Sequence, residues 1–298
     1  MPERKKPLSE EERAARRRAD REFARNAVEQ LRSSEGWQRW LATRRHFHSY
    51  SLTNQLLIAM QNPHATRVAG FRAWLKLGYC VKRGERAIRI WVPITPSRRQ
   101  LERWERAGSD SAARPRTCFK LDPVFDRQQV GPLPPPATPA PLDPPVHDVT
   151  GEDLAPVLPR LVAFALQIGS AVEFEANPGQ RRGYYELDTR RIAIRKDMPA
   201  NAQVKTLIHE LAHALLRAEP AEDDPLLERA AEELVVESVA YTVCGALGLD
   251  SAGYSVPYLT AWSEEGNLDT LERTATLIDR LARRIEDAAT HPGGAGND

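Results

Sequence analysis

Residues 206–216, TLIHELAHALL, decide how the second half of the chain is interpreted, because they place His209, Glu210 and His213 within one apolar helical pattern. Positions i and i+4 of an α-helix lie about 40° apart around its axis, so both imidazoles face the same point. Zinc binds neutral imidazole nitrogens, and a catalytic zinc site keeps three protein ligands and one open position. The pattern predicts Zn²⁺ bound by His209 and His213, with Glu210 as general base for a water at the open position.

A third metal ligand is expected from the following helix, where ERAAEELVVESVAYTV (228–243) supplies several glutamates. Glu233 is the predicted ligand, and Glu237, one turn later, is the predicted acceptor for a ring N–H of a ligating histidine. The two roles can also be exchanged. Glu228 and Glu232 are assigned to a solvated helix face. The competing interpretation is that both histidines are ordinary core or surface residues without a metal.

The segments around the motif predict a mixed α+β domain. AVEFEA (171–176) has the composition of a strand, and YYELDTRRIAIRKDM (184–198) predicts a hairpin that turns at Asp188–Thr189. An edge strand directly before a metal helix can pair with an extended peptide substrate. Apolar periodicity predicts helices at 154–169, 202–217, 226–247 and 270–287.

Residues 131–145, GPLPPPATPAPLDPP, contain eight prolines and predict an extended spacer. The chain has 298 residues, which is about two typical domains. We therefore expect an α+β protein with a helical-plus-small-sheet domain at 1–130, a proline-rich linker at 131–150 and a metallopeptidase-type domain at 151–298. Within the first domain the patterns predict a helix at 9–32, two helices separated near Ser49, a short helix at 71–77, strands at 87–92 and 117–125, and between them an insertion at 94–116 with a helical turn at 99–107.

The charge of the chain is divided unevenly between its halves. Residues 1–130 contain 28 Lys and Arg against 14 Asp and Glu, whereas the remainder contains 14 against 27. Such a basic surplus favours binding to a polyanion, although it is also compatible with a solvated face that only keeps the domain soluble.

Aromatic residues interleaved with Arg and Lys in the first half are typical of a sequence-tolerant single-strand site, in which bases stack on rings. Trp40 and Trp74, at apolar helical spacing, are instead assigned to the core, whereas Trp37 and Phe47 can serve either role. The candidate contacts to single-stranded DNA are Arg44, Arg45, Tyr50, Asn54, Lys82, Arg83 and Arg86. Asn54 can instead cap a helix.

The three cysteines, Cys80, Cys118 and Cys244, are widely spaced and predict neither a disulfide framework nor a thiolate zinc site. A reducing cytoplasm fits this pattern. No apolar run reaches the 18 or so residues that a membrane span needs, so neither membrane binding nor export is expected.

Together these residues resemble a known family. His209-Glu210-x-x-His213 followed by Glu233-x-x-x-Glu237 is similar to gluzincin-like metallopeptidases of the ImmA/IrrE type and to the C-terminal domain of ArdC-type antirestriction proteins. The resemblance implies a zincin-like fold with Glu233 as third zinc ligand. Glu237 departs from the Asn or Asp more usual in ImmA-like members, which leaves its supporting role less defined.

The first half is similar to the ArdC-type DNA-binding domain in residues 50–94 and in FKLDPVFD (119–126). This similarity implies single-stranded DNA binding and protection of incoming DNA from restriction. Two alternatives stay open: a non-catalytic DNA-binding protein with a structural zinc, and a regulatory protease that cleaves a DNA-bound repressor. The sequence does not identify the protein or peptide that a peptidase would cleave.

Overall fold

The computed structural model describes residues 9–106, 117–134, 139, 151–176, 182–249 and 268–290. Residue contacts group the chain into two compact units, the first formed by 1–27 and 56–140 and the second by 28–55 and 141–298. Residues 28–55, which the sequence-based boundary at 130 places in the first domain, therefore pack within the second unit. The α+β class is confirmed.

The first unit contains short antiparallel sheets and helices. The elements are α1 (Glu10–Glu29), α3 (Leu52–Gln61), β1 (Val68–Ala69), α4 (Phe71–Lys76), β2 (Tyr79–Val81), β3 (Ile88–Ile94), α5 (Arg98–Arg106), β4 (Cys118–Asp126) and β5 (Val130–Pro132); α1 and α3 extend into the second unit. Strand β4 lies between β1 and β3, and β2 pairs with β5. The predicted spacer consequently begins later than residue 131, because Gly131 and Pro132 pair with Cys80 and Tyr79. Most of its remainder lies outside the described residues.

Two buried polar contacts define the end of β4. The buried carboxylate of Asp126 accepts hydrogen bonds from the backbone N–H groups of Thr66, Arg67 and Gln128. Trp74 is fully buried and donates its indole N–H to the carbonyl of Phe125 at 2.9 Å. The Asp126 carboxylate and the Trp74 indole N–H thus both have partners, as buried polar groups generally do. The core assignment of Trp74 is confirmed.

The second unit is layered. Its elements are a 3₁₀ turn (Gln30–Arg32), α2 (Ser34–Arg44), α6 (Leu158–Gln167), β6 (Ala171–Glu175), β7 (Gly183–Glu186), β8 (Arg191–Arg195), α7 (Ala200–Ala218), α8 (Arg229–Ala246) and α9 (Leu268–Thr290). Strand β8 is central, parallel to β6 and antiparallel to β7, which confirms the predicted hairpin. Helices α6 and α7 contact this sheet, and α8 and α9 pack against them.

Helix α7 is fixed between the sheet and the other helices. Its buried face includes Val204, Leu207, Leu211 and Leu215, none of which is exposed. On the sheet side, a Cβ added to Gly183 of β7 would lie 2.5 Å from the Thr206 methyl group. A glycine is therefore required for β7 to approach the metal-motif helix this closely. Within the described ranges, none of the helices combines the length and apolarity needed to cross a membrane.

Candidate metal centre

Helix α7 directs both motif histidines to one side. The ring centroids of His209 and His213 are 5.2 Å apart, with the ring planes inclined at 70°. Both side chains are partly exposed, whereas Ile208, Leu211 and Ala212 around them are completely buried. The apolar pattern thus holds the helix in the core and leaves the imidazoles at its accessible surface, where a metal ion can reach them.

Helix α8 brings Glu233 to the two histidines. One potential ligand atom from each of His209, His213 and Glu233 lies within 4.8 Å of the others. The Nε2 atom of His213 is 3.8 Å from the Glu233 carboxylate. Two imidazole nitrogens and one carboxylate oxygen form a suitable donor set for zinc, so the residues present fit the predicted metal.

The second nitrogen of each imidazole faces a different carboxylate. Nδ1 of His209 is 3.6 Å from Glu237, and Nδ1 of His213 is 3.3 Å from Glu232. Because Nδ1 is directed to a carboxylate in both rings, Nε2 is the nitrogen left for a metal. The structure thus places Glu237 beside His209, the position expected for a supporting residue.

Burial makes the site suitable for neutral imidazole. Loss of hydration, together with the nearby His213, lowers the pKa of His209 to about 4, so this ring is neutral at pH 7. Burial and the charge of Glu233 raise the pKa of Glu237, an effect partly offset by Lys205. A divalent cation would relieve the repulsion between these two carboxylates.

Glu210, the predicted general base, is 7% exposed on α7 and adjacent in sequence to His209.

Glu232 and Arg217 lie beside His213, and the sequence pattern does not predict this contact. The sequence pattern predicts solvated positions for both Glu228 and Glu232, but of these two only Glu228 is exposed. The Glu232 side chain is 18% exposed and lies between His213 and the Arg217 guanidinium, 2.7 Å away. The available signal was the position of Arg217, one helical turn after His213, where it can bind a carboxylate that also faces the histidine.

The predicted DNA contacts fall into two groups. Lys82, Arg83 and Arg86 are exposed in the turn between β2 and β3 of the first unit, and the Lys82 ammonium donates to the carbonyl of Gln128 at 2.7 Å. Gly84 in this turn has φ of +90°, a conformation that favours glycine. The turn therefore presents its basic side chains to solvent.

Arg44 has a different role from the predicted one. Its side chain is fully buried in the second unit, where it donates to Asp279 at 2.9 Å and also to Glu286. A guanidinium enclosed by two carboxylates is not available to a phosphate. Asn54 is also buried, whereas Arg45 and Tyr50 are partly exposed.

Three of the large aromatic side chains between positions 28 and 55 belong to the core. Trp37, Trp40 and Phe47 are at most 2% exposed, which confirms the core assignment of Trp40 and excludes Trp37 and Phe47 as stacking surfaces. In the first unit, Phe119 of β4 is 64% exposed. Which face of the sheet Phe119 lies on depends on the register of β4, and the composition of the segment does not predict that register.

Comparison with known proteins agrees with this arrangement. Residues 18–125 match the family model described as the N-terminal domain of anti-restriction factor ArdC. Residues 137–236, which include His209, His213 and Glu233, match a model described as "Putative metallopeptidase family". The chain thus combines a region similar to the ArdC N-terminal domain with a region similar to a putative metallopeptidase family.

Two further proteins are similar to this chain. An uncharacterized protein of Bacillus anthracis is 24% identical over 293 residues, which cover 82% of this chain and 45% of that protein; the chain thus spans less than half of this relative's length. The Mn(II)-bound crystal structure of the antirestriction protein ArdC from the R388 plasmid is similar in fold, with a TM-score of 0.51 at 18% identity, covering 90% of this chain and 98% of that one.

Proposed function

We propose that the chain binds single-stranded DNA through its first unit and holds a zinc ion in a peptidase-type site in its second unit, in an antirestriction role. The observation that carries the metal half is the convergence of His209, His213 and Glu233, with their ligand atoms within 4.8 Å of one another. Two histidines and one glutamate form the ligand set of catalytic zinc in several peptidases.

Zinc is proposed although the similar ArdC crystal structure is Mn(II)-bound. A given nitrogen and oxygen site generally binds zinc more tightly than manganese, so the intrinsic preference of two imidazoles and a carboxylate is for zinc. The metal found in cells also depends on availability, and both ions therefore belong in the test.

The chemistry that we assign to the site is peptide hydrolysis. When bound, zinc supplies Lewis-acid polarisation of a carbonyl oxygen and lowers the pKa of water. Glu210 takes a proton from the attacking water and delivers it to the leaving amine. Strand β7 lies at an edge of the described sheet, in contact with α7, where an extended peptide can add as a further strand.

The DNA half of the proposal rests on charge. The first unit contains 24 Lys and Arg against 12 Asp and Glu, whereas the second contains 18 against 29. We assign phosphate contacts to Lys82, Arg83 and Arg86, and base stacking to exposed Phe119. Arg45 and Tyr50, partly exposed in the second unit, are further candidates, whereas buried Arg44 and Asn54 are not.

The location we propose is the cytoplasm, because Cys80, Cys118 and Cys244 form no disulfide in the structure. Cysteines kept as thiols are typical of reducing compartments.

Metal analysis combined with proteolysis tests the enzymatic half. Zinc and manganese are measured together: purified wild type should contain about one zinc per chain and little manganese, and a His209→Ala variant should contain almost none of either metal. Glu210→Gln should keep the metal and lose cleavage of fluorescein-labelled casein and of a degenerate peptide library, measured with and without single-stranded DNA. If neither probe is cleaved by wild type and Glu210→Gln retains full antirestriction activity, the metal has a non-catalytic role.

A further inference from the structure

The two histidines of the metal centre are supported differently. Nδ1 of His209 is 3.6 Å from Glu237, which is longer than a hydrogen bond. Nδ1 of His213 is 3.3 Å from Glu232, within hydrogen-bonding distance. Glu232 in turn accepts a hydrogen bond from Arg217 at 2.7 Å. Of the two imidazoles, His213 therefore has the more closely held carboxylate partner.

The His213 imidazole and its two supporting residues lie on two adjacent helices. His213 and Arg217 are one turn apart on α7, and Glu232 reaches both from α8. One Glu232 oxygen faces the imidazole and the other faces the guanidinium. Because Glu232 is held at both oxygens, its orientation relative to the imidazole is restricted.

We propose that Arg217 and Glu232 form a positioning pair that fixes the tautomer and ring orientation of His213 and thereby strengthens metal binding. The inference rests on the proposed zinc site. With the Nδ1 proton donated to Glu232, the lone pair of Nε2 points towards Glu233 and the metal position. Carboxylates that accept the second ring N–H of a ligating histidine generally increase metal affinity.

Arg217 allows this mechanism to be separated from simple electrostatics. Its positive charge opposes a nearby divalent cation, so by Coulomb's law its removal should tighten metal binding. If Arg217 acts by holding Glu232, its removal should weaken metal binding instead. The sign of the change therefore distinguishes the two effects.

The first experiment measures Zn²⁺ affinity by competition with a chelating dye. We expect Glu232→Ala to weaken binding by about 10–100-fold and Glu232→Gln, which keeps an acceptor oxygen, to weaken it less. Arg217→Ala should weaken binding several-fold, and the Arg217→Ala, Glu232→Ala double variant should match Glu232→Ala alone. Exposed Glu228 and Arg229 of the same region supply the matched controls Glu228→Ala and Arg229→Ala, which should leave the affinity unchanged.

The second experiment records ¹⁵N NMR shifts of the His213 ring in the metal-free full-length chain at pH 8. Wild type should carry its proton on Nδ1, and Glu232→Ala should give a mixture of tautomers. A purely structural contact between α7 and α8 would not change the tautomer.

Three results would overturn the inference. The first is an Arg217→Ala variant that binds zinc as tightly as wild type or more tightly. The second is a double variant in which the effects of Arg217→Ala and Glu232→Ala on zinc affinity add. A wild-type His213 with its proton on Nε2 also contradicts it. These outcomes leave the proposed zinc site intact, whereas wild type that binds no zinc overturns the proposed function together with this inference.

Discussion

Two carboxylate clusters in the second unit are balanced in different ways. Around Arg44, the carboxylates of Asp279 and Glu286 share a buried guanidinium that the chain itself supplies. At the metal centre, Glu233 faces His213 and Glu237 faces His209, a ring that is neutral at pH 7. Desolvated carboxylates need a charge partner. The Arg44 guanidinium supplies that partner in the first cluster, whereas at the second, where the Glu233 side chain is 49% exposed, a divalent cation would relieve the repulsion between Glu233 and Glu237.

The difference between the clusters also shows which charged residues can be interpreted from sequence. His209 and His213 are brought together by helical periodicity alone, within five residues. Arg44 is enclosed by residues 235 and 242 positions away along the chain. Local spacing thus predicts a metal centre, whereas the exposure of an arginine depends on distant residues that meet it only in the folded chain.

The largest effect on stability is expected at the cluster around Arg44. Arg44→Ala removes the guanidinium and leaves two buried carboxylates without it, which should destabilise the protein by about 3–5 kcal/mol. Urea unfolding followed by circular dichroism measures the change. Arg39→Ala in the same helix provides the control, because Arg39 pairs with Glu35, whose side chain is 83% exposed, and such pairs contribute about 1 kcal/mol or less. Equal effects of both substitutions would show that the Arg44 cluster is not buried as described.

Much of the fold follows from the sequence for the same local reasons. The hairpin at Asp188–Thr189 and the helices of the second half were predicted because alternation and helical periodicity extend over whole elements. The two-residue strand β1 and the pairing of Gly131–Pro132 with Tyr79–Cys80 were not. Such short pairings depend on tertiary contacts and carry no periodic pattern.

The candidate site was predictable to a similar extent. Glu233 and Glu237 were selected because a third ligand and a supporting carboxylate fit one face of α8. Glu232 was missed because its neighbour in sequence, Glu233, faces the metal position, and adjacent helical residues are normally assigned to different faces. Its role became visible only through the contact with Arg217, since the packing of α7 against α8 sets which carboxylate reaches Nδ1.

The next largest effect is expected at the metal centre. A ligand that binds only the folded state at 100 times its Kd stabilises that state by about 2.7 kcal/mol. Zinc at this excess should therefore raise the unfolding free energy of wild type, and His209→Ala should abolish the increase. Exposed His64 supplies the control His64→Ala, which should respond to zinc as wild type does. If the urea midpoint of wild type is the same with zinc and with EDTA, the metal centre is not stabilised by a cation and does not differ in this respect from the Arg44 cluster.

A smaller effect should separate the roles of Glu233 and Glu237. If Glu237 supports His209 without binding the metal, Glu237→Gln should weaken zinc affinity by about 10–100-fold, or about 1.4–2.7 kcal/mol. Glu233→Gln should weaken it further, because a direct ligand is lost. Dye competition on both variants provides the ranking. If Glu237→Gln is the more damaging substitution, the ligand and supporting roles are exchanged.

The smallest expected effect concerns the basic turn between β2 and β3. For single-stranded nucleic acid, the slope of log affinity against log salt concentration changes by about 0.7 for each phosphate contact. The Lys82→Ala, Arg83→Ala double variant should therefore have a slope shallower by about 1.4, measured with a fluorescein-labelled oligothymidine by anisotropy. Arg229→Ala combined with Arg273→Ala removes the same charge from exposed positions of the second unit and should leave the slope unchanged. If both double variants lower the slope equally, DNA responds to the overall charge of the chain and not to this turn.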